Sequence, residues 1–258
     1  MTQIHQKADV HPEAQIHESV MIGAYTQIGP QVTIGADTVV GDFVRIAGRT
    51  TIGVRNQIHS YAALGGIPQD KKYRGENAAL VIGDDNTIRE FCTFNIGTDD
   101  DRGVTSLGNH NWIMAYVHLA HDCQVGNHVT MANHATLAGH VTVGDWVTLG
   151  GFVGVHQFVQ IGDHAFVGIS AVITQDIPPY VMVAGQPATP HGINTEGLKR
   201  RGFSATDLVQ IKKAYRILYR QGYSLEEAKL LLANLAEEQP AVLPFSQFLE
   251  GCQRGILR

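Results

Sequence analysis

A branched or long apolar side chain returns at every sixth residue of this chain. From Val10 the ladder climbs through Ile16, Ile22, Ile28, Ile34, Val40, Ile46, Ile52 and Ile58 to Leu64, ten positions without a miss. The phase reappears at Ile82, Ile88 and Phe94, slips by one residue, and then runs from Leu107 to Ile173 in twelve further hits. An amphipathic helix repeats at about 3.6 residues and a half-buried strand at 2, so neither accounts for a period of six. A coil of very short strands joined by bends does. One apolar side chain per hexad points inward, and glycine or a small polar residue is expected at the constrained bend. No rung can bury its apolar residue alone, but rungs stacked about 4.8 Å apart form a continuous core. Three hexads per coil predict a triangular prism of about eight coils, a mainly β parallel β-helix.

Two stretches break the rhythm. Residues 65–79 span two hexads but carry Asp70 and Glu76 where rungs belong, so they read as a loop ejected from the prism. Residues 98–104, with three aspartates in a row, cause the slip. Loops on a rigid scaffold are where chemistry concentrates. Beyond Ile173 a proline-rich connector is expected to leave the ladder rather than extend it. Helix starts follow at Ser204 and Ser224, the second with the spacing of a capping box, and a third helix is expected over 244–251. The division expected is 1–190 for the prism and 191–258 for a small α-helical domain.

Charge and composition remove several partners. Acidic residues outnumber basic ones, 24 to 19, for a formal charge of −5, which argues against a nucleic-acid partner. No apolar run approaches the ~20 residues of a membrane span, so no membrane insertion is expected. The opening residues lack a basic segment followed by an apolar one. Three cysteines, an odd number, read as reduced thiols. A cytoplasmic protein is the expectation.

Such prisms host several chemistries, so the side chains must decide. Six of the thirteen histidines fall between His118 and His156. One reading is a zinc hydratase with histidines gathered from facing subunits. The other is a metal-free acyltransferase in which one histidine deprotonates an attacking hydroxyl; a plain scaffold is the third. With 18 residues per coil, His121 should stack on Gly139 and then on Gln157. A base, a bare backbone amide able to donate to an oxyanion, and a carboxamide would share one column. No third histidine occupies it, which favours acyl transfer with no metal and no cofactor.

Four segments then carry a specific likeness. His118-Leu119-Ala120-His121-Asp122-Cys123, Leu137-Ala138-Gly139-His140, His156-Gln157-Phe158 and the run from Asn194 to Phe203 together resemble the UDP-N-acetylglucosamine O-acyltransferase family. The likeness covers the whole chain, including the ejected loop and the closing segment 254–258. It implies a left-handed coil, a cytoplasmic homotrimer, and transfer of an (R)-3-hydroxyacyl chain from acyl carrier protein to the 3-hydroxyl of UDP-N-acetylglucosamine, the opening step of lipid A synthesis. His121 matches the family's general base and Gly139 its oxyanion donor. Asp70, Lys72, His118, His140, His156 and Gln157 match positions lining the sugar and acyl site. Asn194, Glu196 and Arg200 match the nucleotide side. Lys199, Arg200, Arg201, Lys212, Lys213, Arg216 and Arg220 give the tail a basic surface suited to an acidic carrier protein. Asp122, commonly the base's orienter, could reach His121 only if a bend fell between them.

Two positions depart from the family. Phe94-Asn95-Ile96-Gly97-Thr98 stands where many members have Ile-His-Arg-Gly-Thr, and Ile169 stands where acceptors of long chains have glycine. Ile169 lies 48 residues past His121, about 13 Å along the coil axis. That leaves room for about ten carbons at the reach of an extended chain, so a C10–C12 donor is expected.

Overall fold

The computed structural model describes residues 3–99, 101–252 and 255–258. Asp100 of the acidic insert and Arg254 of the closing segment lie outside the described residues. The chain forms a left-handed parallel β-helix followed by a small helical domain. Two-residue strands recur along the ladder, and in pairs such as Met21–Ile22 and Thr136–Leu137 the second residue is the hexad residue. Its side chain points inward: Ile34, Ile88, Leu119 and Val167 are all buried, in one continuous core. Register follows the coil arithmetic, with His118 opposite Thr136 and Thr136 opposite Gly154. The strands make three parallel faces, the first meeting the second at one corner, the second meeting the third at another, and the third returning to the first.

The corners differ from the sequence expectation. Left-handed backbone is held at nineteen described positions by residues other than glycine, among them Tyr25, Phe43, Tyr61, Phe91, Tyr116, His134 and Phe152. These seven rings form one stacked column, with neighbouring centroids 4.7 to 5.2 Å apart. A non-glycine residue in this region costs roughly 1–2 kcal/mol. Ring stacking returns about 0.5–1.5 kcal/mol per pair, enough to offset most of that. The repeated glycines answer a different demand. A Cβ on Gly53 would sit 2.7 Å from the Gly83 carbonyl oxygen of the next coil, so glycine marks close approach between coils rather than positive φ.

The ejected segment leaves between Ala63–Gly66 and Ala79–Ile82, and the insert leaves between Thr93–Asn95 and Val104–Leu107. Correcting the connector expectation, Val181–Ala184 adds one more parallel strand to the first face and folds back against Thr189–Ile193. Prolines flank this stretch at 178, 179 and 187, and leave 180–184 free to pair. A division at 190/191 therefore cuts through a strand. The helical part begins with α1 (Thr195–Arg200), then α2 (Ala205–Tyr219), α3 (Leu225–Glu238) and α4 (Leu243–Gly251). Both Ser204 and Ser224 close complete capping boxes, with Asp207 and Glu227. Among the described residues no helix is long and apolar enough to cross a membrane.

Candidate active site

The corner between the second and third faces carries the His121 column. Residues 120–123 turn it, and Asp122 takes φ +60°. That bend swings two adjacent side chains to the same side: the Asp122 carboxylate lies 2.9 Å from His121 Nδ1. Asp122 is buried and anchored further, accepting from the Thr98 backbone N–H at 3.1 Å and from the Thr98 hydroxyl at 2.6 Å. An ionised carboxylate accepts only, so Nδ1 carries the proton and Nε2 keeps its lone pair. One coil on, Gly139 lies under the imidazole. A Cβ there would come within 2.7 Å of both Cε1 and Nε2. Among the described residues the Gly139 N–H has no hydrogen-bond partner. A lone-pair nitrogen and an amide donor thus adjoin.

A cleft of about 740 Å³ opens over this column. Asp70 and Lys72 reach it from the ejected loop; Thr98, Asp101 and Arg102 come from the insert; His121, His140, Gln157 and Phe158 come from the corner itself. His140 stacks on Phe158 at 4.3 Å and stands edge-on to His121 at 4.9 Å. His156 is exposed on the same corner. His118 lies on the adjoining second face, where its Nδ1 meets the Thr93 hydroxyl at 2.7 Å and burial pushes its pKa below the ordinary imidazole value. It is thereby kept neutral near pH 7. Burial drives the Cys123 thiol up to about 12, which removes it as a nucleophile.

His121, Asp122 and His140 bring three potential metal-ligand atoms within 4.8 Å of one another. Several of the polar atoms there are already hydrogen-bonded. Asp122 accepts from Thr98 and from His121, and His140 Nδ1 is bonded to Asp101 at 2.8 Å. These bonds tie up both Nδ1 atoms and the buried carboxylate, and leave the two Nε2 atoms open.

Other sequence-predicted residues lie elsewhere on the same chain. Asn194 sits at the corner between the third and first faces. Its amide is spent on structure, capping the Gly197 N–H and donating to the His164 carbonyl. Glu196 pairs with Lys199 at 3.0 Å, and Arg200 is exposed on α1. Ile169 is 71% exposed at the corner between the first and second faces. Forty-eight residues are two and two-thirds coils, so Ile169 is off the His121 column, and the axial estimate omitted the width of the second face. Between the two corners that face presents Thr136, Gly154 and Val172, and nothing would meet a Cβ on Gly154 within 4 Å.

In the segment 94–98, Asn95 donates to the Ile67 carbonyl at 3.0 Å and Ile96 is buried in the core. On the tail, Lys212, Lys213, Arg216 and Arg220 are exposed, whereas the Arg201 guanidinium lies 4.9 Å over the Trp146 ring. Sequence reasoning missed Thr98, Asp101 and Arg102. The signal available was the acidic insert itself, read as the cause of a phase slip and as a loop suited to chemistry, with none of its residues singled out.

Known proteins resemble this chain in sequence and in fold. Residues 176–257 fit the family described as Udp N-acetylglucosamine O-acyltransferase, Domain 2, and residues 13–48 and 105–139 fit the bacterial transferase hexapeptide repeat. The chain is 57% identical over 204 residues to the acyl-[acyl-carrier-protein]--UDP-N-acetylglucosamine O-acyltransferase of Thiobacillus denitrificans, covering 79% of each. To that of Burkholderia orbicola it is 54% identical over 262 residues and the full length of both. The solved Francisella novicida UDP-N-acetylglucosamine acyltransferase superposes with TM-score 0.98 at 44% identity, over 99% of this chain and 94% of that one. The Campylobacter jejuni structure gives 0.93 at 38% identity, over 99% of each.

Proposed function

The chain belongs to the UDP-N-acetylglucosamine O-acyltransferase family, and from that premise we propose how its own residues carry out the transfer. It is an acyl-[acyl-carrier-protein]--UDP-N-acetylglucosamine O-acyltransferase of lipid A synthesis. The acceptor's 3-hydroxyl lies against His121 Nε2, which takes its proton as the oxygen attacks the thioester carbonyl carbon of the (R)-3-hydroxyacyl donor. The tetrahedral oxyanion accepts from the Gly139 N–H. On collapse the carbon–sulfur bond breaks, and the imidazolium returns the proton to the departing carrier-protein thiolate. Asp122 keeps Nδ1 protonated throughout and balances the transient charge. The observation that carries this reading is the imidazole seated over Gly139 with its far nitrogen tied to a buried carboxylate.

Asp70, Lys72, His118, His140, His156 and Gln157 surround the sugar and the head of the acyl chain in this reading. Asn194, Glu196 and Arg200 belong to the nucleotide side, yet they stand at another corner of the same prism. A homotrimer resolves this: α1 of one protomer faces the His121 corner of its neighbour, and the Arg200 guanidinium meets the diphosphate. The exposed cations of α2 receive the acidic carrier protein. We place the enzyme in the cytoplasm.

The acyl chain crosses the second face over Thr136 and Gly154 and ends against Ile169. We keep C10–C12 as the expected best donor on the strength of the branched side chain at that corner alone, since the axial distance leaves out the width of this face. Replacing Ile169→Gly should move the optimum toward C14 and raise the C14 to C10 ratio of kcat/KM by about tenfold or more, the scale of a few methylenes admitted to or barred from a pocket. An assay with UDP-N-acetylglucosamine and carrier-protein donors differing only in length tests it. A C14 optimum in the unmodified enzyme ends the Ile169 argument.

A further inference from the structure

The acidic insert supplies a second carboxylate–imidazole pair at this site, and the geometry points to Asp101 as the positioning residue for His140. Asp101 Oδ2 lies 2.8 Å from His140 Nδ1, with the His140 side chain only 12% exposed. Two rings pack against it. Phe158 stacks on one face at 4.3 Å, and His121 meets it at 89°. The alternative carboxylate, Asp122, is 4.0 Å from the same nitrogen and already engaged by Thr98 and His121. One short insert therefore braces both histidines, Thr98 through Asp122 and Asp101 directly.

The consequence for His140 follows from donor and acceptor chemistry. A carboxylate on Nδ1 fixes the tautomer with the proton on Nδ1, so Nε2 is an acceptor. Two imidazoles then offer lone pairs to one cleft. His121, above Gly139, has the oxyanion donor beside it and does the proton transfer. His140, with no such donor, accepts a hydrogen bond from a hydroxyl or amide N–H of the bound substrate. Asp101 thereby acts on substrate binding, through His140, and not on the chemical step. This rests on the reading of His121 as the base.

The test uses the full-length enzyme labelled with ¹⁵N-histidine, its His140 signals assigned by comparison with His140→Gln. The unmodified protein should show His140 as the Nδ1–H tautomer. In Asp101→Ala the two tautomers should mix, KM for a substrate should rise about tenfold, and kcat should change by no more than about threefold, the pattern of lost binding. Asp101→Glu should restore the tautomer. Should the alanine variant fold poorly, Asp101→Asn keeps the size and removes the charge, and the same tautomer mixing and KM rise are expected. An unchanged tautomer and unchanged KM in a folded Asp101 variant overturn the proposal. If His121→Ala kept full activity, the base assignment would fall, but the tautomer measurement would still decide the role of Asp101.

Discussion

Removing the imidazole in His121→Ala should lower kcat by about a thousandfold, within the span of a general acid–base catalyst, while leaving KM for UDP-N-acetylglucosamine within a few-fold. The side chain reaches into the cleft from a corner whose backbone is fixed by neighbouring coils, with the His140 N–H donating to the His121 carbonyl at 3.0 Å. That bond survives truncation. The inward-facing residue of this rung is Leu119, which the change does not touch. Thermal unfolding should therefore shift little, and an assay of kcat alongside a melting curve separates lost chemistry from lost fold. A variant retaining more than about a tenth of wild-type kcat would contradict a base at this position.

The second large effect comes from adding one methyl group. Gly139→Ala keeps the backbone N–H, and its backbone carries no left-handed φ that would strain an alanine. The methyl would nonetheless lie 2.7 Å from His121 Cε1 and Nε2, closer than non-bonded heavy atoms can approach. The imidazole must tilt away, and its other nitrogen is tied to Asp122. A displacement of about 1 Å costs on the order of a hundredfold in rate. The expected result is a kcat fall of about that size with near-native stability. Activity close to wild type would mean that the ring has freedom to move without loss, and that close stacking on Gly139 is not part of the chemistry.

What could be read from the chain alone follows physical lines. Ile22, Ile34 and Leu119 announce the prism because each must be buried and the coil repeats in register. The His121–Gly139 column follows from the same 18-residue step. Coil arithmetic gave Ile169 only an axial distance from His121, and the remainder of two-thirds of a coil, which puts the two at different corners, was not turned into a sideways displacement. The Asp122 contact depended on a left-handed φ that a histidine–aspartate pair does not advertise. Asp101 and His140 are 39 residues apart and meet only because an insert folds back over the corner, a path with no periodic signature. Asn194 illustrates the reverse case, a family-matched residue whose amide is also the N-cap of α1. Aromatic rings at the bends went unforeseen because the stacking that offsets their backbone cost exists only once coils are superposed.

The central claim is that one corner holds both the proton acceptor and the oxyanion donor. The most direct measurement is a crystal structure of the enzyme with UDP-N-acetylglucosamine and an unreactive thioether analogue of the hydroxyacyl donor. The account predicts the sugar 3-hydroxyl within about 3 Å of His121 Nε2 and the donor's carbonyl-mimicking oxygen within the same distance of the Gly139 N–H. A 3-hydroxyl seated against a different wall, out of reach of His121 in every protomer, would contradict it.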